Sequence, residues 1–279
     1  MNSFKEFFKF IFRLFQISRP LGWVMASVLF LVGIKLSGPG FDLLTVVQLV
    51  FLTFPFCFFL FGINDVFDYK SDKLNPRKGN FLHGAKITKD EIPIIKKLAW
   101  LFILPLVLVS AFVNLYNFVF AVLLVLFSYF YSAKPIRMKE IPLLDTISNS
   151  IIVYLVVMLG FTHHALPSQL TIKGYFLLIL LTGFNAYHTI VDFDADRKAG
   201  HKTFASFFGK RATAGFAFLC ALVALLFGNF ESFEFNALVL FSAIATFATL
   251  IYPKIAKILM YICVFGGIAL VSSWLVRTL

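Results

Sequence analysis

Residues 64–79 of this chain read NDVFDYKSDKLNPRKG and close a long apolar run that begins near Val46. Three carboxylates, Asp65, Asp68 and Asp72, occur there within eight positions. At 100° per residue they fall within about 60° of one another on a helix, with Asn64 at the edge of that face. A second acidic stretch, residues 191–202 (VDFDADRKAGHK), closes another apolar run. Asp192 and Asp196 lie about 40° apart on a helix, Asn185 and His188 share their face, and Asp194 points to the opposite side. Carboxylates that face each other repel, by about 4 kcal/mol for two unit charges 4 Å apart at an effective dielectric near 20. A hard divalent cation with oxygen ligands relieves that repulsion. Mg²⁺ takes one or two carboxylates, keeps waters and adds substrate phosphate oxygens. The soft or imidazole-rich set that zinc prefers is absent from both stretches.

Basic residues flank each stretch: Arg77 and Lys78, Lys134 and Arg137, and Arg197, Lys198 and Lys202. Carboxylates, Mg²⁺ and bases together suit a diphosphate, whose departure the metal assists by neutralising the leaving group as a carbon–oxygen bond breaks. Residues 129–140 (YFYSAKPIRMKE) bring Tyr131, Ser132 and Lys134 to the same side, and Pro135 ends the helix that carries them. Asp145 and Asn149, one helical turn apart, are either a third polar contribution or a local cap. The bland alternative for the basic residues is pairing with lipid head groups under the positive-inside rule. A transporter, with inward polar residues marking an ion path, is a competing class. Against it, the acidic residues crowd one face instead of crossing the midplane. A non-catalytic lipid-binding relative is a third reading, and two intact acidic stretches speak against it.

The elements that must hold these residues are membrane helices. The 279 residues are 60% hydrophobic with mean hydropathy +0.89, and 14% are charged, against about 25% in a soluble domain. Continuously apolar stretches of about 17 to 20 residues recur, each long enough to cross about 30 Å of hydrocarbon. Without water in the bilayer core the spans are helices or a barrel, and continuous rather than alternating apolarity selects helices. The sequence predicts an all-α polytopic membrane protein with nine spans near 20–36, 44–63, 97–113, 116–132, 146–165, 172–192, 212–228, 235–251 and 257–276, in a single domain, 1–279. With the N-terminus in the cytoplasm, 22 of the 25 Lys and Arg fall on that side, which fixes the expected orientation. The net charge of +11 is then a topological bias and not a nucleic-acid surface. The expected location is the cell inner membrane, with both acidic stretches on the cytoplasmic face. Residues 1–19 carry Lys5, Lys9, Arg13 and Arg19 among phenylalanines, which suits a helix on the membrane surface and not a cleavable signal. Cys57, Cys220 and Cys263 are isolated and read as small buried side chains. His163-His164 on the outer side reads as an interfacial pair. A faint echo, Gly-x-Asn before each acidic stretch and Asp-x-x-x-Asp within it, hints at a doubled four-helix unit plus one helix.

These residues resemble the UbiA superfamily of intramembrane prenyltransferases. Asn-Asp-x-x-Asp-x-x-x-Asp matches at Asn64, Asp65, Asp68 and Asp72, and Asp-x-x-x-Asp matches at Asp192 and Asp196, followed by Arg-Lys-Ala-Gly-His-Lys-Thr. Tyr131-Ser132 looks like the family's tyrosine–serine loop, and Arg19-Pro20 before the first span also fits. The resemblance implies a nine-helix bundle around a central cavity. It implies Mg²⁺ and an isoprenyl diphosphate donor held by the Asp-rich motifs, and a hydrophobic acceptor alkylated within the membrane. Carried over, Asp65, Asp68, Asp72, Asp192 and Asp196 are the metal residues. Asp68, Asp192, Asp196 and Tyr131 are catalytic, and Asn64, Arg19, Arg77, Lys134, Lys202 and Asn185 bind the diphosphate. Among possible acceptors, which in the family include quinone precursors, glycerol ethers and phosphoribose donors, the forms Ser18-Arg19-Pro20, Phe61–Asp68 and Asn75-Pro76 look closest to lycopene elongase-like members.

Overall fold

A computed structural model describes residues 2–38, 40–73 and 78–278. Among these, nine helical segments are long and apolar enough to cross a membrane, and no strand is formed. The first helix, α1 (Asn2–Ser18), precedes them. Its phenylalanines Phe4, Phe7, Phe8, Phe12 and Phe15 are exposed on one side, while Leu14 and Ile17 are buried. This matches the expected surface helix, with an unburied apolar arc suited to the interface.

The spans follow as α2 (Pro20–Ser37), α3 and α4 (Leu43–Leu52 and Phe54–Asp72), α5 (Glu91–Val113), α6 (Leu115–Ser132), α7 (Leu144–Phe161) and α8 (Ile172–Ala199). After the short α9 (Phe204–Phe208) come α10 (Lys210–Phe227), α11 (Phe233–Ile251) and α12 (Ala256–Thr278). The second span, expected near 44–63, is therefore built from two helices. It breaks at Thr53, whose ψ of −115° leaves the helical region. Pro55 supplies the cause, because a proline in the first turn of α4 cannot donate back into α3. The broken span continues three turns past its apolar part, and this extension carries Asp65, Asp68 and Asp72.

Packing follows chain order, with α4 on α5, α5 on α6, α6 on α7, α7 on α8, α8 on α10, α10 on α11 and α11 on α12. The ring closes where α2 packs on α7 and α12 on α2. Small residues set the closest approach. A Cβ built on Gly33 would overlap the Val157 carbonyl, and one on Gly160 would overlap the Phe30 carbonyl. One core joins α2, α4, α5, α6 and α7 through Phe30, Phe58, Phe59, Ile103, Leu124 and Leu159. A smaller one around Tyr187, Ala214 and Met260 serves α8, α10 and α12.

A buried polar tie holds the end opposite the acidic stretches. Gln48 Nε2 donates to Ser110 Oγ (2.6 Å) and Asn117 Oδ1 (2.7 Å), and Asn117 Nδ2 donates to the Leu159 carbonyl (2.7 Å). His163, expected to be an interfacial side chain, joins this tie through Nε2 to Gln48 Oε1 (2.7 Å) and lies 3.3 Å from Thr45 Oγ1. Burial pushes its pKa down to about 4, against the opposing pull of Asp42. Such ties replace the hydrophobic driving force that is missing between helices in lipid.

The α2–α7 crossing yields a test. Gly33→Leu or Gly160→Leu forces two backbones apart, an overpacking that costs about 1–3 kcal/mol. Either variant is expected to lower the melting temperature of the detergent-solubilised protein by several degrees. Gly266→Leu, at a helix surface with nothing within 4 Å of the added Cβ, is expected to melt like the parent.

Candidate active site

Both acidic stretches end on one face, where α4, α6, α7 and α8 are neighbours. A carboxylate at the end of an apolar helix is expensive without a partner, and each of these has one. The first cluster centres on Asp65, which is fully buried. Its Oδ1 accepts from Arg19 Nη2 (2.8 Å) and Lys78 Nζ (2.5 Å). Lys78 also reaches Asp72 Oδ2 at 2.7 Å and so bridges two carboxylates of one helix. Gly84, with φ +86°, closes over this pair, since a Cβ there would lie 2.8 Å from Arg19 Nε. That glycine serves both the left-handed backbone and the close approach. Arg19 stacks 4.4 Å above the Phe61 ring.

The second cluster centres on Asp68. Arg137 Nη2 donates to its Oδ1 (2.9 Å), and Lys139 Nζ pairs with Oδ2. Arg137 also contacts Glu140 at 2.8 Å. Burial pulls the Lys139 pKa below its usual range, and the charge of Asp68 works against that pull. Asn64 completes the cluster. In the amide orientation that satisfies both of its atoms, its nitrogen donates to Asp68 Oδ2 (3.1 Å) and its oxygen accepts from Ser132 Oγ (3.0 Å) and Lys139 Nζ (3.2 Å). Arg19 and Arg137, the two arginines that reach this helix, both sit at positive φ, 50° and 46°. Left-handed backbone at a non-glycine residue costs about 1–2 kcal/mol, and it persists where surrounding contacts impose it.

The third cluster lies on α8. Asp196 Oδ2 accepts from Thr203 Oγ1 (2.9 Å), in the turn just beyond the left-handed Gly200 that caps α8. Asp192 stands one turn earlier and is partly exposed. Asp194 is 78% exposed and pairs with Lys210, as its opposite helical phase predicts. Asn185 lies deeper, where it accepts from Asn149 Nδ2 (2.7 Å) and donates to Ser150 Oγ (3.1 Å). Asp145, buried on α7, accepts from the Phe204 backbone N–H (2.7 Å). It therefore caps α9, a neighbouring helix. Tyr131 lies in the last turn of α6, next to Ser132, which joins Asn64 of the second cluster.

Of the residues expected from sequence, the structure gathers Asn64, Asp65, Asp68, Asp72, Tyr131, Asp192, Asp196 and Arg19 at this face. Asp65, expected among the metal residues, is enclosed by Arg19, Lys78 and Gly84. Lys134 and Lys202 are exposed and form no ion pair among the described residues. Arg77 lies outside the described residues. Ser132, expected as a polar donor near the acidic stretches, bonds Asn64, whereas sequence reasoning missed Lys139 and Thr203 as direct partners of the motif side chains. The signals available were the seven-residue spacing from Ser132 to Lys139 and the threonine that follows the second motif. Among the described residues no three of His, Cys, Asp and Glu converge as a preformed metal cage. The donor set is oxygen from carboxylates in pairs one turn apart, the small number that Mg²⁺ takes when phosphate oxygens complete its shell.

Asp65 is the charge that the first cluster is built around. Removing one member of a buried ion pair typically costs about 3–5 kcal/mol, because its partners stay charged and buried. Asp65→Asn is therefore expected to lower the melting temperature markedly, while Lys202→Ala leaves it unchanged. Equal melting of the two variants in detergent would contradict this assignment.

The UbiA prenyltransferase family pattern matches residues 24–260. A lycopene elongase/hydratase from Haloarcula japonica is 30% identical over 237 residues, 81% of this chain and 77% of that protein. A C50 β-cyclic carotenoid biosynthesis protein, LbtBC from Dietzia sp., is 31% identical over 223 residues, 76% of this chain; the match spans 50% of the Dietzia protein. Among solved structures, a UbiA homolog from Archaeoglobus fulgidus bound to DMAPP and Mg²⁺ superposes with TM-score 0.71 at 20% identity, covering 93% of this chain and 99% of that one. The all-α fold, the nine apolar spans and the paired Asp stretches at the helix ends agree with that match, and the chain belongs to the UbiA prenyltransferase family of integral membrane proteins.

Proposed function

We propose that the protein transfers an isoprenyl group from an isoprenyl diphosphate to the end of an acyclic carotenoid, in a Mg²⁺-dependent reaction at the cytoplasmic face of the cell inner membrane. The observation that carries this reading is the pairing of Asp65, Asp68 and Asp72 with bases at the end of α4, on the face where α8 brings the second acidic stretch. The carotenoid acceptor rests on relatives near 30% identity that are named lycopene elongase/hydratase and cover most of their length.

Asp68, Asp72, Asp192 and Asp196 would hold Mg²⁺, since their oxygens are the hard donors it requires. When bound, the metal supplies charge neutralisation of the departing diphosphate. The chain's own residues do the rest. Lys78, Arg137 and Lys139 already lie against carboxylates, poised to turn to the anionic oxygens of the donor, and the exposed Lys134 and Lys202 add positive charge at the rim. Asn64 and Ser132 fix the direction of the Asp68 carboxylate. Asp65 and Arg19, enclosed together, hold the end of α4 and the loop after it in one shape. The Tyr131 ring stands where a cation forms and stabilises it through its face. The acceptor alkene attacks the allylic carbon as the carbon–oxygen bond breaks, with the electron pair leaving on the diphosphate.

The test uses protein purified in detergent, Mg²⁺, donors from dimethylallyl to geranylgeranyl diphosphate, and lycopene or 4-hydroxybenzoate as acceptor. Elongated carotenoid is expected with Mg²⁺ and none with EDTA. Asp68→Ala and Asp192→Ala are expected to lose turnover while remaining folded and membrane-inserted. Prenylation of the phenol with no carotenoid product would overturn the acceptor. Full activity in either Asp variant would overturn the site.

A further inference from the structure

Asp145 is a buried carboxylate at this face that lies outside both acidic stretches. It is 3% exposed at the start of α7. Its Oδ2 is committed to the Phe204 N–H at 2.7 Å, while its Oδ1 has no hydrogen-bond partner. The hydroxyl of the adjacent Thr146 is also buried and unpartnered. Thr146 stands beside the carboxylate, and its N–H and hydroxyl both favour the charged form there. A buried carboxylate oxygen without a donor costs several kcal/mol in an apolar setting, and a fold keeps such an atom where a ligand completes it. Asp145 opens α7, which packs on α6, the helix whose last turn carries Tyr131. The oxygen is bound to none of the bases that hold the motif carboxylates.

We propose that Asp145 Oδ1 is the proton acceptor that completes the alkylation. This rests on the carotenoid reading above. The π electrons of the acceptor double bond form the new carbon–carbon bond to the allylic carbon, and the other alkene carbon becomes a tertiary cation. A C–H bond next to that cation then breaks, its electron pair forms the new double bond, and its proton goes to Oδ1. The carboxylate becomes a neutral acid and later returns the proton to water. No electrons are gained or lost overall. The Phe204 N–H holds the carboxylate in place throughout, and Thr146 Oγ can steady the protonated form.

The test compares the parent, Asp145→Asn, Asp145→Glu and Asp145→Ala, each with saturating donor and lycopene. Asparagine keeps the volume and an oxygen for the Phe204 N–H. A positioned general base contributes on the order of 10²–10⁴-fold, so Asp145→Asn is expected to lose about 100-fold in elongated product. Its dissociation constant for a non-ionisable thiolo analogue of the donor with Mg²⁺ should stay within about threefold of the parent. Asp145→Glu should recover part of the rate, and formate should restore product to Asp145→Ala, which a purely structural role would not allow. Three results would overturn the proposal: product formation at the parental rate in Asp145→Asn, a parallel loss of donor-analogue binding, or no rescue by either glutamate or formate. If Asp145→Asn does not fold, the glutamate and formate arms decide. If the parent itself makes no carotenoid product, the acceptor reading fails and not this assignment.

Discussion

A carboxylate at the end of a membrane helix must be matched by a cation, and this requirement shapes the whole catalytic face. Asp65, Asp68 and Asp72 ride on one helix that has just left an apolar run, where solvation is poor. Together they draw bases from three segments: Arg19 from the α1–α2 junction onto Asp65, Lys78 from the loop after α4 onto Asp65 and Asp72, and Arg137 and Lys139 from the loop after α6 onto Asp68. Three stretches that have little apolar surface of their own are thereby folded onto the end of α4. The left-handed backbone at Arg19 and Arg137 and the glycine at 84 are local consequences, since the chain bends as the ion pairs demand.

The same pairing suits the proposed chemistry. Carboxylates and bases that neutralise each other keep the face stable when no ligand is present. A divalent cation and a diphosphate, arriving together, offer each side a new partner of the right sign. The exchange is close to balanced in charge, so little is lost in making it. On the second stretch Thr203 donates to Asp196, and Asp145 caps the turn that carries Thr203.

Much of this was legible in the sequence because it follows from period and charge. The spans, the common face of Asp65, Asp68 and Asp72, and the outward turn of Asp194 all come from helical phase. The break at Thr53 was foreseeable from Pro55, yet the run of hydrophobic residues across it masked the signal. The identity of each carboxylate's partner was not legible, because it depends on how loops from distant segments fold back. Lys139 and Thr203 are therefore structural findings. Asp65 looked the same as its neighbours in phase and spacing; only packing shows it enclosed by Arg19, Lys78 and Gly84. The histidine pair had the same ambiguity, resolved when His163 bonded Gln48 in the tie between helices.

The central claim is that motif carboxylates and bases are each other's partners until metal and diphosphate replace them jointly. The most direct measurement is the melting temperature of the purified protein with Mg²⁺ alone, inorganic diphosphate alone, and both. A ligand at 100 times its dissociation constant stabilises by about 2.7 kcal/mol, so the pair together should raise the melting temperature by several degrees while either ion alone does little. Full stabilisation by Mg²⁺ alone, or by diphosphate in the presence of EDTA, would contradict the account.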